Sequence, residues 1–234
     1  MPEIVALLRI PPSGMSTLYE QVLAAGFLDW LAILTSLAYV WLAARDNNWC
    51  WLFAAVSTTA WAWQSFFVYG LVSDGFLQLF YLVMAGVGIW RWRGSKVRTE
   101  QVGRDDTGLL DTAALPPRTL ATIRRMSRRE HLAVIVGGAV AGHLLYYLVS
   151  GVFTSVATFP DAITTAFSII TTFLLVWRRL ENWLYWIVID AVYVWIYLGT
   201  GAVLFAAMMI INIGMAIYGY ANWRREMKVV NTRT

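Results

Sequence analysis

The run WLYWIVIDAVYVWIYLGTGAVLFAAMMIINIGMAIYGYAN (183–222) decides the fold. It is apolar almost throughout and reads at first as one long helix. Gly199-Thr200-Gly201 breaks it, because two glycines around one threonine favour a hairpin. The run is therefore two spans, 183–200 and 201–222. A helix that crosses a bilayer needs about 20 apolar residues, with a range of about 17–25. Working outward, five more runs fit: 26–44, 49–71, 75–92, 131–154 and 160–177. Short polar turns separate them, among them Arg45-Asp46-Asn47-Asn48, Ser73-Asp74-Gly75 and Pro160-Asp161. Barrel strands would alternate polar and apolar residues over about ten positions. Residues 49–63 and 131–153 are continuously apolar instead. Only helices satisfy their own backbone groups in lipid without closing a barrel. The expected fold is an all-α polytopic membrane protein with seven transmembrane helices.

Composition agrees. Of the 234 residues, 59% are hydrophobic and 14% charged, where a soluble domain carries about 25% charged residues. A soluble fold of this size cannot hide so much apolar side chain. The 13 Trp and 11 Tyr suit the two membrane interfaces. The single Cys50 excludes a disulfide scaffold and any multi-cysteine metal site. The basic residues then orient the chain. Arg9 precedes the first span, whereas the other seventeen of the 18 Lys and Arg fall in alternate loops and the tail. The loop at about 91–130 alone holds ten. The positive-inside rule places the C-terminus in the cytoplasm and the N-terminus outside. The basic loops read as topology determinants at the lipid surface, not as a nucleic-acid site. MPEIVALLRIPPSG (1–14) lacks the pattern of a signal peptide, and residues 1–10 can form a short interfacial helix. RTLATIRRMSRRE (118–130) reads either as a basic helix on the inner leaflet or as a solvated linker.

The first three spans echo the last three. Arg45, Asn48, Trp49 and Trp61 recur as Arg179, Asn182, Trp183 and Trp195, all 134 positions on. Gly88 and Trp92 recur as Gly219 and Trp223, 131 positions on. Four spans separate equivalent helices, so both repeats run the same way through the membrane, in a 3+1+3 parallel-repeat arrangement. The expected organisation is an extracytoplasmic segment 1–25, a first three-helix bundle 26–92, a basic cytoplasmic loop 93–130, a linking transmembrane helix 131–154, a second three-helix bundle 160–222 and a cytoplasmic tail 223–234. Such an architecture puts a substrate site between the bundles near the midplane.

Charged groups inside a membrane are costly, by about 2.5–3.5 kcal/mol at mid-helix. Asp190 lies mid-span in 183–200, His143 in 131–154, Asn212 in 201–222, Gln78 in 75–92 and Gln64 in the outer half of 49–71. Asp29 lies near a span end, within reach of water. Trp183, Trp186, Asp190, Tyr193 and Tyr197 are spaced 3, 4, 3 and 4, which is one stripe of a helix. That stripe offers two indoles, a carboxylate and two phenols. Rings stack on flat heterocycles, and a desolvated cation over a Trp face gains about 2 kcal/mol or more. Helix packing plus an interfacial aromatic belt is the plain alternative. Lone His143 and Asn212 can simply bond across helices. No span contains a lysine, so a retinal Schiff base has no anchor. H-E-x-x-H, P-loop and G-x-S-x-G patterns are absent, and two His with one Cys make no ordinary zinc site. No catalytic residue, metal or cofactor is expected.

ENWLYWIVID (181–190), YGYANWRR (218–225), LAARDNNWCW (42–51) and FLQLFYLVMAGVGIWRW (76–92) resemble the PnuC-type vitamin transporter family. The resemblance covers about 26–225. It implies seven helices in a 3+1+3 plan and uptake of a vitamin such as nicotinamide riboside by facilitated diffusion. A cytosolic kinase then traps the entered nucleoside by phosphorylation. Relatives carry thiamine or riboflavin. The family's substrate motif is Trp-x-x-Trp-x-x-x-Asn. Trp183 and Trp186 match it, and Asp190 stands where Asn is expected. Nicotinamide riboside and thiamine are cations that suit a carboxylate, whereas neutral riboflavin gains less. Tyr193, Gln78 and Asn212 complete the expected substrate contacts. The expected localisation is a bacterial inner membrane, with the lipid bilayer and a small vitamin as partners; a homo-oligomer is left open. A sugar facilitator and a membrane-embedded enzyme are the rival readings.

Overall fold

A computed structural model describes residues 18–68, 72–102, 123–152 and 159–231. Among them are eight α-helices and no strand: α1 (Leu18–Ala24), α2 (Phe27–Ala44), α3 (Cys50–Trp63), α4 (Val72–Val102), α5 (Arg128–Val152), α6 (Phe159–Val176), α7 (Asn182–Thr200) and α8 (Val203–Asn231). A π-helical turn, Gln64–Val68, continues α3. By length and composition, four stretches can cross a membrane: α2, Arg128–Leu148 of α5, α6 and Val203–Lys228 of α8. The α-helical part of α3 is only 14 residues long. α7 has 19 but spends many on Trp, Tyr, Asn182 and Asp190. The segment 1–10 lies outside the described residues.

Local chemistry places the helix ends. Pro160 sits in the first turn of α6 with Asp161 beside it, where a missing N–H costs nothing and a negative charge meets the helix dipole. Ser127 and Glu130 cap α5 reciprocally: the Ser127 N–H donates to Glu130 Oε2 at 2.7 Å, and the Glu130 N–H donates to Ser127 Oγ at 3.3 Å. The α7–α8 hairpin closes at Gly201, in the left-handed region at φ 80°. Its N–H and that of Ala202 donate to Leu198 O and Tyr197 O. This glycine-dependent turn is the break expected near 199–201.

Residues 123–127 are neither a surface helix nor a solvated linker. The Arg124 N–H donates to Arg178 O at 3.0 Å, and the Leu180 N–H donates to Arg124 O at 2.9 Å. The Met126 N–H donates to Glu181 Oε2 at 2.8 Å. Ile123 and Met126 are buried. The segment is stitched onto the turn between α6 and α7, because buried backbone groups must find partners.

α2, α3 and α4 pack on one another in chain order, and α6, α7 and α8 do the same. The two groups meet through α2 with α8 and α4 with α6. α5 packs on α6. There Gly138 and Gly142 let Phe167 and Ile163 approach so closely that a Cβ would lie 2.6 and 2.5 Å from them, the small-residue contact of membrane helices. The far side of α5 exposes Leu132, Ile135, Val136, Val140 and Leu144, a face suited to lipid.

The register relating the groups is not the 134 positions expected at α3 and α7. Trp51 packs on Gly88 and meets Trp92 edge-on, with centroids 5.2 Å apart at 89°. Trp183 packs on Gly219 and meets Trp223 edge-on, at 5.4 Å and 87°. Trp51 therefore corresponds to Trp183, 132 positions on. The same shift relates Cys50 to Asn182, the two helix starts, and Asp46 (φ 49°) to Arg178 (φ 50°), the left-handed residues that end α2 and α6. Trp49, the expected partner of Trp183, is 65% exposed instead. The turn after Asp46 is two residues shorter than the one after Arg178 up to the matching asparagines, so those asparagines lie 134 positions apart while the helices keep a shift of 132.

Candidate functional site

A cavity of about 310 Å³ lies between the two helix groups, lined from α2, α3, α4, α6, α7 and α8. Ligand pockets run from about 300 to 1,000 Å³. Trp183, Trp186, Asp190, Tyr193, Asn212 and Gln78, the six residues singled out from sequence, all line it. Five come from the second group and Gln78 from α4. Tyr197, the end of the α7 stripe, lines it as well and stacks on Tyr193, with centroids 5.7 Å apart at 18°.

Asp190 is only 6% exposed. Among the described residues it makes no hydrogen bond or ion pair, and none of those that line the cavity is Lys, Arg or His. A desolvated carboxylate without a partner is costly, and such a group can take a cation as its partner. Asn212 also lines the cavity, and its Oδ1 is buried with no partner. Tyr193 is directed at Thr164, Thr165 and Ser168 of α6. Trp183 is 2% exposed, wedged on Gly219 and against Trp223. It closes the cavity floor as much as it lines it, whereas Trp186 is half-buried with a ring available to the cavity.

The other polar groups expected within spans lie elsewhere. His143 is exposed on α5, its ring 5.0 Å from Phe159 and 6.2 Å from Tyr147. Gln64 is buried at the start of the π-helical turn and is not a lining residue. Asp29 accepts the Gly26 N–H at 2.7 Å and caps α2. Among the described residues no three His, Cys, Asp or Glu cluster as a metal site would require.

Sequence reasoning missed the wall supplied by the first group: Ser36, Tyr39, Thr58, Trp61 and Tyr81. The signal existed. At the shift of 132, Trp51, Ala54, Thr58 and Trp61 of α3 correspond to Trp183, Trp186, Asp190 and Tyr193 of α7, and all eight line the cavity.

Long apolar helices in two related groups around a ligand-sized cavity define a membrane transporter as the class. The particular family follows from comparison. A family model described as "Nicotinamide mononucleotide transporter" matches residues 26–225. The chain belongs to that family, and it is a transporter, not an enzyme. No curated protein sequence matches it. Among solved structures it is similar to the crystal structure of the vitamin B3 transporter PnuC, with a TM-score of 0.65 and 20% identity over 97% of this chain and 92% of that one. At that identity the likeness speaks for the fold.

Proposed function

We propose that this chain carries an unphosphorylated, cationic, heteroaromatic vitamin precursor inward, with nicotinamide riboside first and thiamine next. The observation that supports this best is the Asp190 carboxylate beside Trp186, which among the described residues has no partner and shares its cavity with no basic side chain. A flat cationic ring stacks on the indole and neutralises the acid. A mononucleotide's phosphate would meet a carboxylate and no cation, so the riboside suits this cavity better than the mononucleotide of the family's description. Asn212 and Gln78 then serve amide or hydroxyl groups.

In this reading seven helices cross a bacterial inner membrane in a 3+1+3 plan, with the N-terminus outside and the C-terminus in the cytoplasm. The segments 1–25, 26–92, 93–130, 131–154, 160–222 and 223–234 keep the roles expected from sequence. Transport is facilitated diffusion, and a cytosolic kinase traps the entered nucleoside. Calorimetry of the purified protein with nicotinamide riboside, thiamine, riboflavin and nicotinamide mononucleotide tests the substrate. Tight binding of the mononucleotide with none of the riboside would overturn it. Liposomes should equilibrate labelled riboside without an ion gradient. Uphill accumulation that a protonophore abolishes would refute the passive mechanism.

A further inference from the structure

The end of the cavity below Trp51 and Trp183 is sealed. Trp51, Trp92, Trp183 and Trp223 are each 2% exposed or less. Their rings form a continuous chain, Trp51 to Trp92 to Trp223 to Trp183, with centroids 5.2, 6.0 and 5.4 Å apart. The middle two rings belong to different groups, and each indole N–H is donated across the boundary. Trp92 Nε1 donates to Val176 O and Trp223 Nε1 donates to Ala43 O, both at 3.1 Å.

An ion pair spans the same boundary. Arg178 Nε lies 2.9 Å from Asp46 Oδ1, and the guanidinium sits 4.2 Å over the Trp92 ring. Arg178 is 3% exposed, whereas a quarter of the Asp46 side chain is exposed. These residues occupy equivalent places, the left-handed position just past α2 and just past α6. Glycine is the usual residue there. Here that position of each group carries an opposite charge, and the two meet. Arg178 thus grips both a carboxylate and a ring of the other group.

We propose that Asp46 and Arg178 are gating residues for transport: their ion pair, with Trp92 beneath it, holds the tryptophan end of the cavity shut and must part for cargo to leave. Neither residue lines the cavity, so they act on the opening equilibrium without touching cargo. The indole bonds to backbone carbonyls fix the closed geometry. The ion pair is the contact that can exchange its partner for water, since Asp46 already reaches solvent. A two-state element responds to any change in the free energy of one state. Removing the pair raises the population open at this end. The assignment of this end to the cytoplasm rests on the proposed orientation.

Cys50, the chain's single cysteine, is a native reporter of the opening. It is 0% exposed and lies in the same core cluster as Trp51, Trp92 and Trp223. Labelling by a membrane-impermeant maleimide in inside-out vesicles should be slow in the parent. Asp46→Gly and Arg178→Gly each suit the left-handed backbone while deleting half of the pair. Both should label roughly tenfold faster or more, as expected when one partner of a largely buried pair is removed and the other charge is left uncompensated in the closed state. The exchange Asp46→Arg with Arg178→Asp should return labelling towards the parent rate. Parent-like rates in both glycine variants would overturn the gate. So would fast labelling in the exchanged pair together with a parent-like elution profile. Acceleration only in right-side-out vesicles would overturn the orientation on which the direction rests. The readout needs no substrate, so failure of the gate and failure of the vitamin assignment show separately.

Discussion

α3 and α7 are two versions of one helix in equivalent places, and they do different work. Both start beside a left-handed turn and both wedge a tryptophan, Trp51 or Trp183, onto a glycine of the third helix of the group. Those shared features are packing. Further along they part. α7 presents Trp186 and Asp190 where α3 presents Ala54 and Thr58. The Thr58 hydroxyl is turned back to Ala54 O at 2.8 Å on its own helix, whereas the Asp190 carboxylate has no partner among the described residues. The comparison teaches that the duplicated scaffold makes the cavity, and that the two copies line it with different side chains.

The sharpest way to break this comparison is at Trp186. Trp186→Ala should weaken vitamin binding by roughly 10- to 100-fold, given about 1–3 kcal/mol for a stacked heterocycle. Trp186→Phe should keep part of it. Calorimetry in which both variants match the parent would reduce the α7 stripe to packing. Next is Asp190→Asn, which keeps size and hydrogen bonding but removes the charge. It should cost a cationic vitamin roughly tenfold and leave a neutral analogue almost unchanged. Thr58→Val at the sister position should change binding by less than about twofold, since its hydroxyl is already bonded within α3. An equal loss for charged and neutral ligands would make Asp190 a hydrogen-bond partner only.

The shared part of the comparison predicts stability effects. A Cβ at Gly219 would lie 2.8 Å from Trp183, and one at Gly88 would come closer still to Trp51. Overpacking a tight core costs about 1–3 kcal/mol. Thermal unfolding should therefore fall in both Gly88→Ala and Gly219→Ala, with the larger drop at Gly88. Equal melting temperatures to the parent would show that the tryptophans move aside easily. The smallest effect belongs to His143→Phe, which should leave vitamin binding unchanged because His143 sits on the outer face of α5.

Much of this molecule was legible from local pattern. Apolar runs mark helices because lipid demands internal backbone bonding. The glycine at 201 stops α7 because left-handed backbone favours it. The 3–4–3–4 spacing put Trp183, Trp186, Asp190, Tyr193 and Tyr197 on one face before any partner was known. Each of these facts involves residues within one helix or one tight turn. What tertiary structure decided involves distance along the chain. The glycine notches at 88 and 219 set which tryptophan sits opposite which, and so the register of 132. That register brought Thr58, Trp61 and Tyr81 of the first group into the wall of the cavity that α7 also lines, and it set Asp46 against Arg178 across 132 positions of sequence. Periodicity along one helix says which face is shared but not what that face meets. The partner is chosen by how closely two helices can approach, and their side-chain volumes at the contact govern that.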